Sequence, residues 1–381
     1  MKTDHSSIPE NQCLRPQWRE AGRTPRCELI GLDSHPDRET AAVLIEDAHA
    51  QRALGRLPGF IPPTTARTGD VHFRGLFCVR VKDVTVKGAE MIFINGAPTY
   101  WGGIHPPYAV SMFPHDHGGA TGRAAESVVH LAGPVAHLGH WTAHIYGHFL
   151  LEMLPKVVAF HRLKAVYPDM KLLVSNWATE SMLGLLRLFV PESDLLIYDA
   201  PTQQIEVSRL FLLPSLFQDR AFHPAMDNFL AFAGRQAKHR TTAAPRIFVS
   251  KSKWRRAHPG DYRRLTNEAE VRHLLEQRGF LTVFPEEMSA ADQIAVFAGA
   301  KVIVGEYGSA LHNAIFAPTG TVVISLNCTN VLQDCIAAYA GHTIGYILPE
   351  DGRPRLNGVA EKHPEYRLRL ADLDRMLQAA A

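Results

Sequence analysis

The sequence predicts an α/β protein built as two Rossmann-like domains facing a cleft, with a β-rich extension at the N-terminus. Three observations lead there. Strand-like and helix-like segments alternate from about residue 126 to 238 and again from 246 to 348, the pattern of parallel sheets covered on both faces. A linker-like stretch at 241–245 separates the two sets. The length, 381 residues, suits two domains of about 150 residues each with extensions. The expected boundaries are 1–125 for the extension, 126–240 for the first Rossmann-like domain, 241–350 for the second, and 351–381 for a tail ending in a helix.

The elements follow in order. The first sixty residues, rich in Pro, Arg, Asp and Glu, read as an irregular lead with a short helix near 41–56. Apolar runs at 71–77, 79–86 and 91–94, broken by Gly and Asn, read as strands and hairpins. Residues 102–122, rich in Gly, Pro and His, read as a loop. In the first alternating set, strands at 127–131, 171–175, 195–198 and 205–213 accompany helices at 146–164, 179–189 and 226–238. In the second, a strand at 246–250 leads into a basic loop. Asn267 and Glu270 fit a capped start for a helix at 267–277, which Gly279 ends. After a strand at 281–284, Ser289 and Asp292 open the next helix. Strands at 301–304, 321–326 and 343–348 then alternate with helices at 309–316 and 331–340, and a helix at 370–380 closes the chain.

Composition narrows the class. Hydrophobic residues at 46% and charged residues at 20% are those of a globular protein and exclude a disordered chain, a collagen or a coiled-coil rod. A net charge of +2 is too small for a dedicated nucleic-acid binder. No apolar run approaches the ~18 residues of a membrane span, and residues 1–24 lack the apolar stretch of a signal peptide. The five cysteines, Cys13, Cys27, Cys78, Cys328 and Cys335, are odd in number and have no CxxC spacing. They read as reduced thiols, and the expected location is the cytoplasm.

Histidine is the unusual count, at 20. His144, His148, Glu152 and Lys156 recur every four residues, which would place them on one stripe of an otherwise apolar, buried helix lining a cavity. An imidazole and a carboxylate in such a site can serve general base catalysis; the ordinary alternative is an exposed charge-paired face. The wider run of His137 and His140, with His115-Asp116-His117 upstream, contains no metal-ligand motif, so no metal is expected. The Asp372-Leu373-Asp374 triplet reads as a solvated helix face.

Two further clusters follow strands, where open parallel sheets bind ligands. The first is basic: Lys251, Lys253, Arg255, Arg256, Arg263 and Arg264, with Asn267 at the next helix start. Its arginine forks and helix N–H groups suit a diphosphate, against the alternative of a solubilising surface loop. The second runs from Lys301 to Phe316. There Glu306 is placed for a ribose diol, Gly308 admits a ligand close to the backbone, and Ser309 can cap the helix that carries His312 and Asn313.

Taken in this order, the three clusters resemble glycosyltransferase family 61. The matching residues are Tyr146-Gly147-His148-Phe149-Leu150-Leu151-Glu152 with Leu154-Pro155, then Arg263-Arg264-Leu265-Thr266-Asn267-Glu268 with Glu270-Val271, Gly279-Phe280, Pro285-Glu286, Gln293-Ile294, and Gly305 to Asn313. Tyr307 stands where the family often has His, and His144 where it often has Asn. The resemblance, over about residues 126–345, implies a GT-B fold with the acceptor on the N-terminal domain and the donor on the C-terminal one. It also implies inverting transfer from a nucleotide sugar without a bound metal, as in bacterial members that build capsular or other surface polysaccharides.

The expected donor is a UDP-sugar. The expected acceptor is a saccharide, free or lipid-linked, the latter entailing peripheral contact with a membrane; no nucleic acid and no cofactor is expected. His148 or Glu152 is the base. Lys251, Arg256, Arg263, Arg264, Asn267, Glu306, Tyr307, Gly308, Ser309, His312 and Asn313 are the expected donor-binding residues. Outside the resemblance stand two other functions: a metal-dependent hydrolase using the histidines, and a noncatalytic polyanion-binding module using the basic cluster.

Overall fold

The computed structural model describes residues 27–29, 48–58, 66–73, 76, 78–88, 90–94, 97–99, 125–140, 142–218, 220–237, 244–258, 264–353 and 365–380. The loop expected at 102–122, the first 24 residues and Arg263 lie outside them. The chain divides into two compact units. The first comprises residues 1–48 with 73–218, and the second 49–72 with 219–381.

The first unit holds an eight-stranded mixed sheet. Leu195–Tyr198, Lys171–Ser175, Ser127–His137 and Gln203–Leu212 lie side by side and parallel. Val79–Lys87 then pairs antiparallel with Gln203–Leu212 and carries Met91–Ile94 and Ala97–Thr99 beyond it. Cys27–Leu29 pairs with Val79–Lys87 as well. Val79, Val81, Val84, Ile92, Val135, Val207 and Leu210 form the core of this sheet. The Ser127–His137 strand is exposed over its first half and buried over its last four residues, so the segment after it starts from the interior.

The second unit holds a six-stranded parallel sheet in the order Leu281–Val283, Arg246–Val249, Val302–Glu306, Val322–Leu326, Thr343–Ile347, Gly55–Arg56. Its inner strands are near-continuous apolar runs, as burial on both faces requires. Phe248, Val304, Ile324 and Leu326 pack with Val271 and Leu275 of the Glu268–Gln277 helix and with Leu373 of Leu370–Ala379. Residues from the expected extension thus contribute strands to both units.

Several expectations give way to tertiary context. No helix forms at 48–56; Ala48–Arg52 pairs with Gly69–Phe73, and Gly55–Arg56 completes the parallel sheet. Ladder pairing outweighs the weak helical propensity of that stretch. The basic loop is the helix Ser252–Ala257. Asn267 occupies an N-cap position without capping. Its amide instead bonds the Leu368 carbonyl at 2.9 Å and accepts from the Leu368 N–H at 3.1 Å. Ser309 is the first residue of a 3-10 helix whose N-cap is Gly308. Ser289 does cap its helix, accepting from the Asp292 N–H at 3.2 Å.

Candidate active site

The expected 146–164 helix is not one regular helix. An α-turn at Tyr146–His148 passes into a π-helical stretch at Phe149–Met153, then a 3-10 turn at Leu154–Lys156, then the helix Val157–Val166. Pro155 explains the break: it has no N–H to donate, and its ring would strike the carbonyl four residues back. The Leu154 N–H bonds the Phe149 carbonyl, five residues away, and the extra residue is absorbed as a π-bulge. The four-residue stripe is therefore cut at both ends. His144 precedes the first turn and is exposed, whereas Lys156 is buried, its ammonium donating to the Gly139 carbonyl at 3.0 Å.

What the segment does assemble is a carboxylate between two imidazoles. Glu152 is 5% exposed. Its Oε1 lies 2.5 Å from His148 Nδ1 and its Oε2 lies 3.0 Å from His140 Nε2. The two rings stack with centroids 5.6 Å apart. Burial alone would raise the Glu152 carboxyl, but the hydrogen bonds from His140 and His148 hold it well below the usual carboxylate range. Burial, then the neighbouring His148, lowers His144. Burial also lowers Lys156, against the opposing pull of Glu90 and Glu152.

The proton positions follow from the backbone. The Thr142 N–H points at His140 Nδ1 at 3.2 Å. A backbone N–H only donates, so Nδ1 is the bare nitrogen and Nε2 carries the hydrogen given to Glu152. Thr142 Oγ1, 2.6 Å from the same Nδ1, donates to it too. His148 Nδ1 faces the Glu152 carboxylate, which can only accept, so in the neutral ring the hydrogen sits on Nδ1 and Nε2 is the bare nitrogen. That nitrogen has no hydrogen-bond partner among the described residues, and the side chain is 25% exposed. His140, His148 and Glu152 place one ligand atom each within 4.8 Å of one another, a possible donor set for a divalent ion. His140 fits that role poorly, because a metal on Nε2 would need the ring proton on Nδ1, where Thr142 already donates.

In the second unit, the arginine that the fold places at the strand ends among the described residues is Arg255, rather than the expected Arg256 or Arg264. Arg255 Nη1 lies 3.0 and 2.9 Å from the two oxygens of Glu306, and Nη2 lies 2.5 Å from Glu268 Oε2. Tyr366 donates to Glu306 Oε2 at 2.8 Å, and the Lys251 N–H to Oε1 at 3.3 Å. Three donors, Arg255 Nη1, Tyr366 and the Lys251 N–H, thus share the two oxygens of Glu306, so the carboxylate is engaged within the protein. Burial lowers Arg255, yet Glu306 and Glu268 together raise it above its ordinary value; burial and Glu306 raise Tyr366.

Lys251 is brought to the Gly308 turn. A Cβ on Gly308, whose φ is 153°, would sit 3.1 Å from Lys251 Nζ, so the ammonium lies against the backbone where the 3-10 helix begins. Gly308 and Ser309 are half-exposed there. The other expected residues disperse. Arg256 is exposed, and Arg264 pairs with Glu365 at 3.3 Å on the surface. Tyr307, His312 and Asn313 are buried; His312 meets Gln333 at 3.2 Å, and Asn313 bonds the Ala310 carbonyl.

Sequence reasoning passed over His140 and Arg255 as site residues. The signal for Arg255 was its four-residue spacing from Lys251, which has meaning only if the segment is helical. For His140 no local periodicity existed.

A buried carboxylate bonded to an imidazole that keeps a ring nitrogen within reach of solvent is an arrangement able to take a proton from a hydroxyl, and here it is carried on a mixed α/β scaffold. Residues 146–324 match the family model described as Glycosyltransferase 61, and the protein is a glycosyltransferase. Over that segment, a little under half of its length, the chain is similar to glycosyltransferase family 61. No curated protein matches the sequence. Among the described residues no helix is long and apolar enough to cross a membrane.

Proposed function

We propose that the protein is an inverting glycosyltransferase with a GT-B arrangement. It would move a sugar from a UDP-sugar, held by the second unit, to a saccharide hydroxyl presented to the first, in the synthesis of a surface or capsular polysaccharide in the cytoplasm. The observation that carries the reading is the bare, solvent-reachable Nε2 of His148, with Nδ1–H fixed on ionised Glu152. In a single displacement, the acceptor hydroxyl gives its proton to His148 Nε2 as its oxygen bonds the anomeric carbon. The bond from that carbon to the nucleotide breaks on the opposite side, and its electron pair leaves on the diphosphate. The imidazolium formed is neutralised by Glu152, the same division of labour as in a Ser-His-Asp site. Glu152 acts here as the orienting anion and His148 as the base.

The departing diphosphate meets the Lys251 ammonium and the backbone N–H groups that open the helix after Gly308. Positive charge from the protein serves where another enzyme would use a metal, and turnover is expected to persist in EDTA.

The test separates the two units. His148→Ala should lower kcat by about 100-fold or more and leave UDP affinity, measured by calorimetry, unchanged. Lys251→Ala should weaken UDP binding by about 1.5–3 kcal/mol, the range for a hydrogen bond to a charged group. A folded His148→Ala protein with near-normal release of UDP from UDP-sugars would overturn the base; EDTA inactivation reversed by manganese would overturn the metal-free mechanism.

A further inference from the structure

We infer that His140 is the positioning residue of this site: it fixes the Glu152 carboxylate in the one orientation that leaves His148 Nε2 as the cluster's accepting nitrogen. The inference rests on His148 as the base and adds what makes it so. His140 and His148 have four ring nitrogens. Two donate to the two oxygens of Glu152. A third, His140 Nδ1, is occupied by the N–H and hydroxyl of Thr142. The fourth, His148 Nε2, has no hydrogen-bond partner among the described residues and is left to take a proton.

The tautomer of His140 is imposed by the main chain, which cannot exchange donor for acceptor as a side chain can. Its consequence reaches His148 through the carboxylate. With Oε2 bound by His140, rotation of the carboxylate is blocked, and Oε1 stays at His148 Nδ1. Without His140, Oε2 loses that hydrogen bond, and the carboxylate is less firmly held toward His148. Among the described residues, the charged and titratable groups around the cluster are Lys156, which interacts with Glu90 and with Glu152, and His144, which interacts with His148. None of these couplings supplies the second hydrogen bond on Glu152 that His140 makes. The segment bearing His140 is itself held from behind. Lys156 grips the Gly139 carbonyl, and Gly139 has no room for a side chain, since its Cβ would lie 2.3 Å from the His137 ring.

Two measurements on the full chain test this. Long-range proton–nitrogen correlation spectra of protein carrying ring-labelled histidine should show opposite tautomers, with the hydrogen on Nε2 in His140 and on Nδ1 in His148. The two rings are assigned from His140→Gln and His148→Gln. A hydrogen on Nδ1 of His140 overturns the inference without any variant having to be active.

The second measurement is UDP release across a panel of UDP-sugars. His140→Ala should lower kcat by about 10- to 100-fold, the usual cost of losing a group that orients another functional group, with the KM for the donor unchanged. His140→Gln, whose amide N–H can replace Nε2–H on Glu152, should recover most of that loss. Equal losses in the two variants would mean that the ring merely fills space, and the inference fails. Normal turnover in His140→Ala beside a crippled His148→Ala would sink the inference and spare the base; normal turnover in His148→Ala would sink the base, and the inference with it.

Discussion

Glu152 stays ionised in the fold at pH values where an unfolded chain has already taken up the proton. Its ordinary value is about 4.5 and its folded value lies well below. The stabilisation it provides is therefore complete above pH 5 to 6 and is lost as the pH falls from there toward the folded value, because the unfolded state binds the proton first. Thermal unfolding followed between pH 3 and 7 should show wild-type stability falling more steeply on the acid side than that of Glu152→Gln, with the slopes differing by up to one proton. Parallel curves would mean that Glu152 is not held as an anion.

The segment from His137 to Lys156 works as one element. Its first residue ends the strand Ser127–His137, and its far end is the buried π-bulge followed by the 3-10 turn Leu154–Lys156. Gly139 is the tightest point, because the imidazole of His137 occupies the space a Cβ would need. Gly139→Ala should cost about 1–3 kcal/mol, the range for overpacking a filled core. It should also lower turnover, since His140 is the next residue. Chemical denaturation and UDP release check the two effects; a variant of unchanged stability and rate would show that the segment yields easily.

This element also marks how far sequence patterns reach. His148 and Glu152 were legible because their spacing stays within one turn. The stripe to His144 and Lys156 was not: His144 precedes the first turn, and the π-bulge and Pro155 change the helical phase before Lys156. His140 lies eight residues before His148 and meets Glu152 only through the turn at residues 142–144, a fact of tertiary placement. In the second unit the strands were legible as apolar runs. The side chain presented at their ends was not: the choice among Arg255, Arg256 and Arg264 depends on the phase of the short helix Ser252–Ala257. The glycine turn was legible, since Gly308 adopts a φ of 153° that few other residues tolerate. Its partner Lys251 could be named as a donor ligand but not placed over the turn.

At the scale of the whole molecule, the chain visits its second unit twice. Residues 49–72 belong to it, and then 73–218 build the other unit before the chain returns. The early visit supplies Gly55–Arg56, the outermost strand beside Thr343–Ile347, and Leu57, which packs into the core. Arg56 also reaches Asp334 at 3.0 Å, a carboxylate that Tyr346 holds from the other side at 2.6 Å. Removing one partner of a buried pair typically costs about 3–5 kcal/mol. A fragment of residues 219–381 should therefore melt well below the intact protein, and a synthetic peptide of residues 48–58 should raise its melting temperature in proportion to the logarithm of peptide added. A fragment that the peptide leaves unchanged would show that the parallel sheet is complete without it.

The same interleaving bears on synthesis. A ribosome adding about 5–20 residues each second releases the edge strand Gly55–Arg56 well over two hundred residues before its neighbour Thr343–Ile347. For roughly fifteen to sixty seconds at that pace, the strand and the Arg56 side chain have no sheet to join. The nascent chain must keep this short segment from pairing with the strands made in between. Gly55–Arg56 is only two residues long and polar, a poor template for such pairing. The brevity of that strand gives the newborn chain a way to wait for the sheet it will finish.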